Sequence, residues 1–335
     1  MLLHCTSFTS RAQFSYLPNP LGNNKAASSR IVNSMVFDKS NRLYTATYWN
    51  EDFSHNASSP IGFYIFDGNK WAAKKLDRNP SAWEEYGNLS ISPDGKYIAF
   101  QNEQNHSYTM GVRLFEVYNG SFNEVKLFPD GVPMIESVAF DNESKLWMLG
   151  NGSAYKGGFP NVFIWESGKL GVKKLPLMPT SVTNFSFMDN DEMRLSSESN
   201  YFVYNTTSLK RRIIYSPINF RAFDQTNTEG QTYLMTTYKE LKLIQSNGES
   251  KSIYNTPEIN KIYKSILTKE STYLLATDSG IYTYKNNEWH EFNTSNSNLK
   301  GNEITAFAKD AQGNIWIAGI EINSTKVFIA KFDIL

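Results

Sequence analysis

The chain has 335 residues, enough for one large domain or two ordinary ones. Its 33 basic and 33 acidic residues cancel, and no Lys/Arg cluster stands out, which argues against a nucleic-acid partner. Aromatic residues reach 14%, mostly Tyr and Phe, which suits half-buried strands, and no apolar run is long enough to predict a transmembrane segment.

In chain order, residues 1–12 read as an irregular N-terminal segment. Met1-Leu2-Leu3-His4-Cys5 has apolar residues before a Cys, as in the tail of a bacterial lipoprotein signal, although His4 stands where a small residue is usual. A lipid anchor at Cys5 is one reading, and an ordinary N-terminal tail the other. Cys5 is the only cysteine, so no internal disulfide and no Cys-based metal site can form. Sequons such as Asn56, Asn105, Asn151 and Asn205 carry little weight in so Asn-rich a chain. Gln13-Phe14-Ser15-Tyr16-Leu17-Pro18 then reads as a strand without a local partner.

From residue 34 onward one pattern recurs: a short apolar strand, a polar turn and a second apolar strand. Taking Phe37, Ile91, Phe140, Phe187, Phe223, Leu267 and Phe307 as equivalent gives seven repeats of blade size. Each continues with an alternating hairpin, marked by Asp67-Gly68, Asn119-Gly120, Ser167-Gly168 or Asn247-Gly248, because both central residues of a type I′ turn need positive φ. Outer strands ending near proline follow, such as Val125-Lys126-Leu127-Phe128-Pro129 and Lys173-Lys174-Leu175-Pro176. The seventh repeat stops after Phe328–Asp333, its third strand. The expectation is an all-β, seven-bladed propeller over residues 13–335, its last blade closed by the N-terminal strand.

Asp310-Ala311-Gln312-Gly313-Asn314-Ile315-Trp316 and Thr277-Asp278-Ser279-Gly280-Ile281-Tyr282 resemble the bacterial two-component-regulator propeller repeat. Ile91-Ser92-Pro93-Asp94-Gly95-Lys96-Tyr97 is similar to the repeat of TolB-like propellers, themselves WD40-like. That resemblance implies an Asp and a Gly shaping the turn and an aromatic packed between blades. It implies no activity, because the scaffold hosts many functions.

Loops joining second and third strands are long in the first three repeats and short in the fifth and sixth. They carry Trp49, Asp52 and His55, then His106 and Tyr108, then Tyr155, and aromatic faces beside polar donors suit a sugar ring or a peptide. Asn33, Gly87, Glu136, Thr183, Asn219, Tyr263 and Glu303 are expected at the rim of a central channel. Asn33, Glu136, Asn219 and Glu303 there could hold a divalent cation; otherwise no cofactor is expected. His55, His106 and His290 lack metal spacing, and nucleophile-elbow, phosphate-loop and zinc signatures are missing. Sialidase arginines are not visible, and Glu136 with Asn219 imitates only part of a six-bladed lactonase site. The expected function is a non-catalytic binding or scaffold propeller, periplasmic or at the cell surface, that takes a carbohydrate or peptide. The alternative is a metal-dependent hydrolase or lyase at the channel rim.

Overall fold

The computed structural model describes residues 12–20, 30–49, 63–74, 84–104, 110–118, 120–128, 135–150, 161–174, 182–187, 192–197, 201–215, 222–226, 232–236, 241–244, 250–253, 257–324 and 326–334. These residues form antiparallel strands and no helix. Strand β1 (Ala12–Tyr16) precedes the first sheet, which contains β2 (Arg30–Phe37), β3 (Leu43–Trp49), β4 (Phe63–Phe66) and β5 (Trp71–Ala73). The second sheet holds β6 (Glu84–Ile91), β7 (Tyr97–Gln104), β8 (Met110–Tyr118) and β9 (Ser121–Val125). In the third stand β10 (Ile135–Phe140), β11 (Leu146–Gly150), β12 (Asn161–Glu166) and β13 (Lys169–Lys174). The fourth follows with β14 (Val182–Phe187), β15 (Glu192–Ser197), β16 (Tyr201–Asn205) and β17 (Arg211–Tyr215). The fifth comprises β18 (Ala222–Thr226), β19 (Thr232–Thr236), β20 (Leu241–Ile244) and β21 (Ser250–Ile253). The sixth comprises β22 (Ile262–Leu267), β23 (Tyr273–Thr277), β24 (Ile281–Lys285) and β25 (Glu288–Phe292). The last has β26 (Glu303–Lys309), β27 (Ile315–Ile320) and β28 (Val327–Ile334), with β1 as its outer strand.

One turn recurs between first and second strands. Asp141 Oδ1 accepts from the backbone amides of Glu143 and Lys145 at 2.9 Å each, and the Trp147 indole donates to its Oδ2 at 2.7 Å. Asp310 serves Gln312, Asn314 and the Trp316 indole in the same way, at 3.0, 2.8 and 3.0 Å. Asp38 binds the Arg42 amide and the Tyr44 hydroxyl. Each carboxylate therefore shapes the turn and aims an aromatic ring between sheets, as the resemblance implies. In the five such turns among the described residues, the third residue after the first position is left-handed: Asn41, Gly95, Ser144, Ser271 and Gly313. At Gly313 a Cβ would also run into the stem of Lys269.

Apolar clusters join successive sheets. Tyr44, Phe63 and Ile65 of the first meet Ile98, Phe100 and Phe115 of the second. Trp147, Val162 and Ile164 of the third meet Met193, Leu195 and Phe202 of the fourth. Val32, Met35 and Leu43 of the first sheet also meet Ala306, Ala318 and Ile329 of the last. Thr305 reinforces that junction by donating from Oγ1 to the Val32 carbonyl at 2.5 Å. First strands of these neighbours touch one another, so they form the inner side of the assembly.

The N-terminal strand docks where its pattern predicts. Phe14 lies opposite Phe332 in register, and their rings stack at 5.2 Å. Its outer edge is held by one side chain: Asn298 accepts from the Phe14 amide at 3.0 Å and donates to the Phe14 carbonyl at 3.2 Å. The Tyr16 hydroxyl donates to the Asn298 carbonyl at 2.7 Å and accepts from the Lys300 amide at 2.9 Å. Burial pushes the Tyr16 phenol up to about 12, so it remains a donor at neutral pH. An edge that would otherwise invite foreign strands is thereby closed.

Candidate functional site

Starts of first strands and the connections between second and third strands lie at one end of every antiparallel sheet. The strand bounds leave 50–62 and 151–160 for those connections in the first and third sheets, against 237–240 and 278–280 in the fifth and sixth. In the second sheet the strands run on to Gln104 and resume at Met110, so the connection expected to be long shrinks to 105–109. Trp49 ends β3. Asp52, His55, His106, Tyr108 and Tyr155 lie outside the described residues.

At the same end, five inner strands share an irregularity. The pairing register slips between Val32 and Ser34, Ile135 and Ser137, Val182 and Asn184, Ile262 and Lys264, and Ile304 and Ala306. The second sheet slips between Gly87 and Ser90. A bulge twists an inner edge away from flat pairing and re-aims the side chain it carries. Asn33, Glu136, Thr183 and Tyr263 from the rim set occupy such positions. In the last sheet the bulged residue is Thr305 rather than Glu303, which pairs with Ile320 at the start of β26. Register explains the offset: Lys309 lies opposite Ile315 as Phe37 lies opposite Leu43, so Phe307 is two residues out of step. Thr226, opposite Thr232, likewise takes the place given to Phe223. Asn219 lies outside the described residues.

Glu303 is nevertheless part of a polar array between the last two sheets. The Tyr263 hydroxyl donates to Glu303 Oε1 at 2.5 Å, and the Lys261 ammonium sits 4.6 Å from the centre of the Tyr263 ring. Asn33, on the neighbouring inner strand, has a buried Oδ1 with no hydrogen-bond partner. Its amide lies against Gly87, where a Cβ would come within 3.2 Å of Nδ2. Lys264 escaped the sequence reading. It follows the bulge in β22, and desolvation holds its ammonium below the ordinary lysine range. Among the described residues no group of three His, Cys, Asp or Glu side chains converges as a metal site. His290 stands on the outer strand β25, 3.9 Å from Glu288 and partly in solvent. The array offers hydrogen-bond acceptors and a flanking cation, a set of groups suited to a polar ligand.

Comparison with curated proteins finds no matching sequence. Among solved structures, a catalytically inactive virginiamycin B lyase from Staphylococcus aureus with quinupristin is similar at 13% identity and a TM-score of 0.69, covering 97% of this chain and 100% of that one. The extracellular domain of the putative one component system BT4673 from B. thetaiotaomicron is similar at 15% identity and a TM-score of 0.67; the match covers 95% of this chain and 39% of that one. PorZ, a surface component of the type-IX secretion system of Porphyromonas gingivalis, is similar at 16% identity and a TM-score of 0.65, covering 89% of this chain and 46% of that one. These likenesses show the fold. Residues 298–321, which carry the Asn298 clamp and the Asp310 turn, match the two component regulator propeller model, so the chain contains a repeat of that type in an all-β propeller-like fold.

Proposed function

We propose that the chain is a non-catalytic ligand-binding or scaffold propeller of seven blades, exported to the periplasm or cell surface, with Cys5 as a lipid anchor. It recognises a carbohydrate or peptide through the end bearing the connections of the first three sheets, of which those of the first and third are long. The carrying observation is that inequality: 50–62 and 151–160 on one side against 237–240 and 278–280 on the other. Long loops on a rigid frame are where binding residues gather. The extracellular setting of the BT4673 domain and the surface setting of PorZ support export.

Glycan and peptide arrays test the reading. A ligand should be captured, and Trp49→Ala and Tyr155→Ala should each weaken capture about tenfold or more; unchanged capture by both variants would place the site elsewhere. A second reading, a metal-dependent hydrolase or lyase at the channel rim, is favoured by the likeness to a lyase over the whole chain and by the Tyr263–Glu303 pair. Stoichiometric divalent metal in purified protein, lost in Glu303→Gln, would select it.

A further inference from the structure

The described residues of the third and fourth sheets leave the space between their outer halves unfilled. A groove of about 800 Å³ opens there, floored by Trp147, Ile164 and Phe187 and bordered by β13. Register explains the void. Trp147, Ile164 and Gly171 lie side by side across β11, β12 and β13, so the apolar row that packs between the sheets ends in a residue without a side chain. Gly171 is not there for its backbone: its φ is not positive, and the atom nearest a Cβ would be the Ile164 carbonyl oxygen at 3.7 Å. A side chain would fit, and none is present.

Two further features describe what would fit. β13 ends its sheet, and no described backbone pairs with its outer edge. Lys169 and Lys173 share the face of Gly171, because side chains alternate along a strand. Neither makes an ion pair among the described residues. Lys169 is nonetheless offset by Glu166, directly opposite it across the hairpin. The neighbouring Lys145 is held by Glu143 at 2.6 Å and Glu166 at 3.5 Å. Among the described residues Lys173 has the Trp147 ring, 5.8 Å away, and no acidic partner. Unbalanced positive charge therefore sits at the Lys173 end of the groove.

We infer that this groove accepts an extended peptide, which pairs antiparallel with β13 as a fifth strand. Directly opposed residues in an antiparallel pair share a face, so the residue opposite Gly171 fills the void with a large side chain. The residue opposite Lys173 comes two positions earlier in the peptide and is acidic. The motif is thus an acid, any residue, then an aromatic. None of the residues that carry this inference belongs to the connections of the first three sheets, and it does not rest on the reading proposed for them.

The test uses the full chain and a labelled heptapeptide with aspartate two residues before tryptophan, followed by fluorescence anisotropy. Saturable binding is expected, weakened tenfold or more by Gly171→Leu, which fills the void. Lys173→Glu should lose the aspartate peptide equally and gain a peptide with lysine in its place. Trp49→Ala and Tyr155→Ala should leave this binding unchanged, which separates it from the loop site. Absence of saturable binding, or equal affinity in both groove variants, would overturn the inference and leave the lysines as protection of a sheet edge. Self-association abolished by Gly171→Leu would overturn it too, by assigning the groove to a second copy.

Discussion

The gap between the first and second sheets and the gap between the third and fourth begin alike and end differently. In both, an Asp turn aims an aromatic ring into the space, Tyr44 from Asp38 and Trp147 from Asp141. Beyond Tyr44 the space is filled: Phe122, from the outer strand of the second sheet, stands 6.4 Å from Tyr44 and 5.9 Å from Phe63. Lys74 lies across it, 5.5 Å from the Phe122 ring, with its ammonium on the Gly120 carbonyl. Beyond Trp147 there is Phe187 at 5.3 Å, then Gly171 and open groove. Among the described side chains, the inner strands carry the packing common to both gaps, and the difference lies with outer-strand residues, Phe122 in one and Gly171 in the other.

The comparison can be broken first at its filled member. Phe63 is fully buried and stacks on Phe100 at 5.7 Å, so Phe63→Ala should lower stability by about 3–5 kcal/mol in denaturant unfolding. A cost near zero would mean that this gap is as loose as the other. A third gap, at the last sheet, is closed by the chain's own N-terminus. Asn298→Ala removes both bonds to Phe14 and should cost about 1–2 kcal/mol, with faster amide exchange over residues 12–16.

The Asp310 turn responds to pH. Burial alone would raise its carboxyl, but bonds from Trp316, Asn314 and Gln312 outweigh that and hold it below the ordinary carboxylate range. A depressed carboxyl stabilises the fold above its unfolded pKa, and that stability is lost as the pH falls through the lowered value. Asp310→Asn should therefore be less stable than wild type at neutral pH. The difference should shrink on acidification, and a constant difference across the titration would contradict the assignment. The smallest effect belongs to the open gap. Gly171→Ala should stabilise by about 0.5–1 kcal/mol through the unfolded chain, because its site is roomy and its backbone ordinary. Destabilisation would mean that the groove is tighter than its geometry indicates.

Much of this fold was legible in the sequence. The turn Asp and the aromatic six residues on are local signals, and Gln13–Pro18 matched the outer strands that it joins in the sheet. The alignment of the seventh repeat was not: Phe307 stands two residues from Lys309, and a shift of two keeps every side chain on its own face, so alternation cannot reveal it. That shift moved the rim position from Thr305 to Glu303. In the fifth repeat Phe223-Asp224 imitates the strand-end Phe-Asp of Phe37-Asp38 three residues before the true position, Thr226. The groove was invisible for a different reason. Leu170-Gly171-Val172 reads as an unremarkable edge strand, and the void exists only because Gly171 falls in line with Trp147 and Ile164 from two other strands.

Amide hydrogen exchange with and without the aspartate–tryptophan peptide compares the open and filled gaps in one experiment. The account predicts slowed exchange along Lys169–Lys174 and no change along Trp71–Ala73, the outer strand beside the filled gap. Unchanged exchange in both strands, or equal slowing in both, would contradict it.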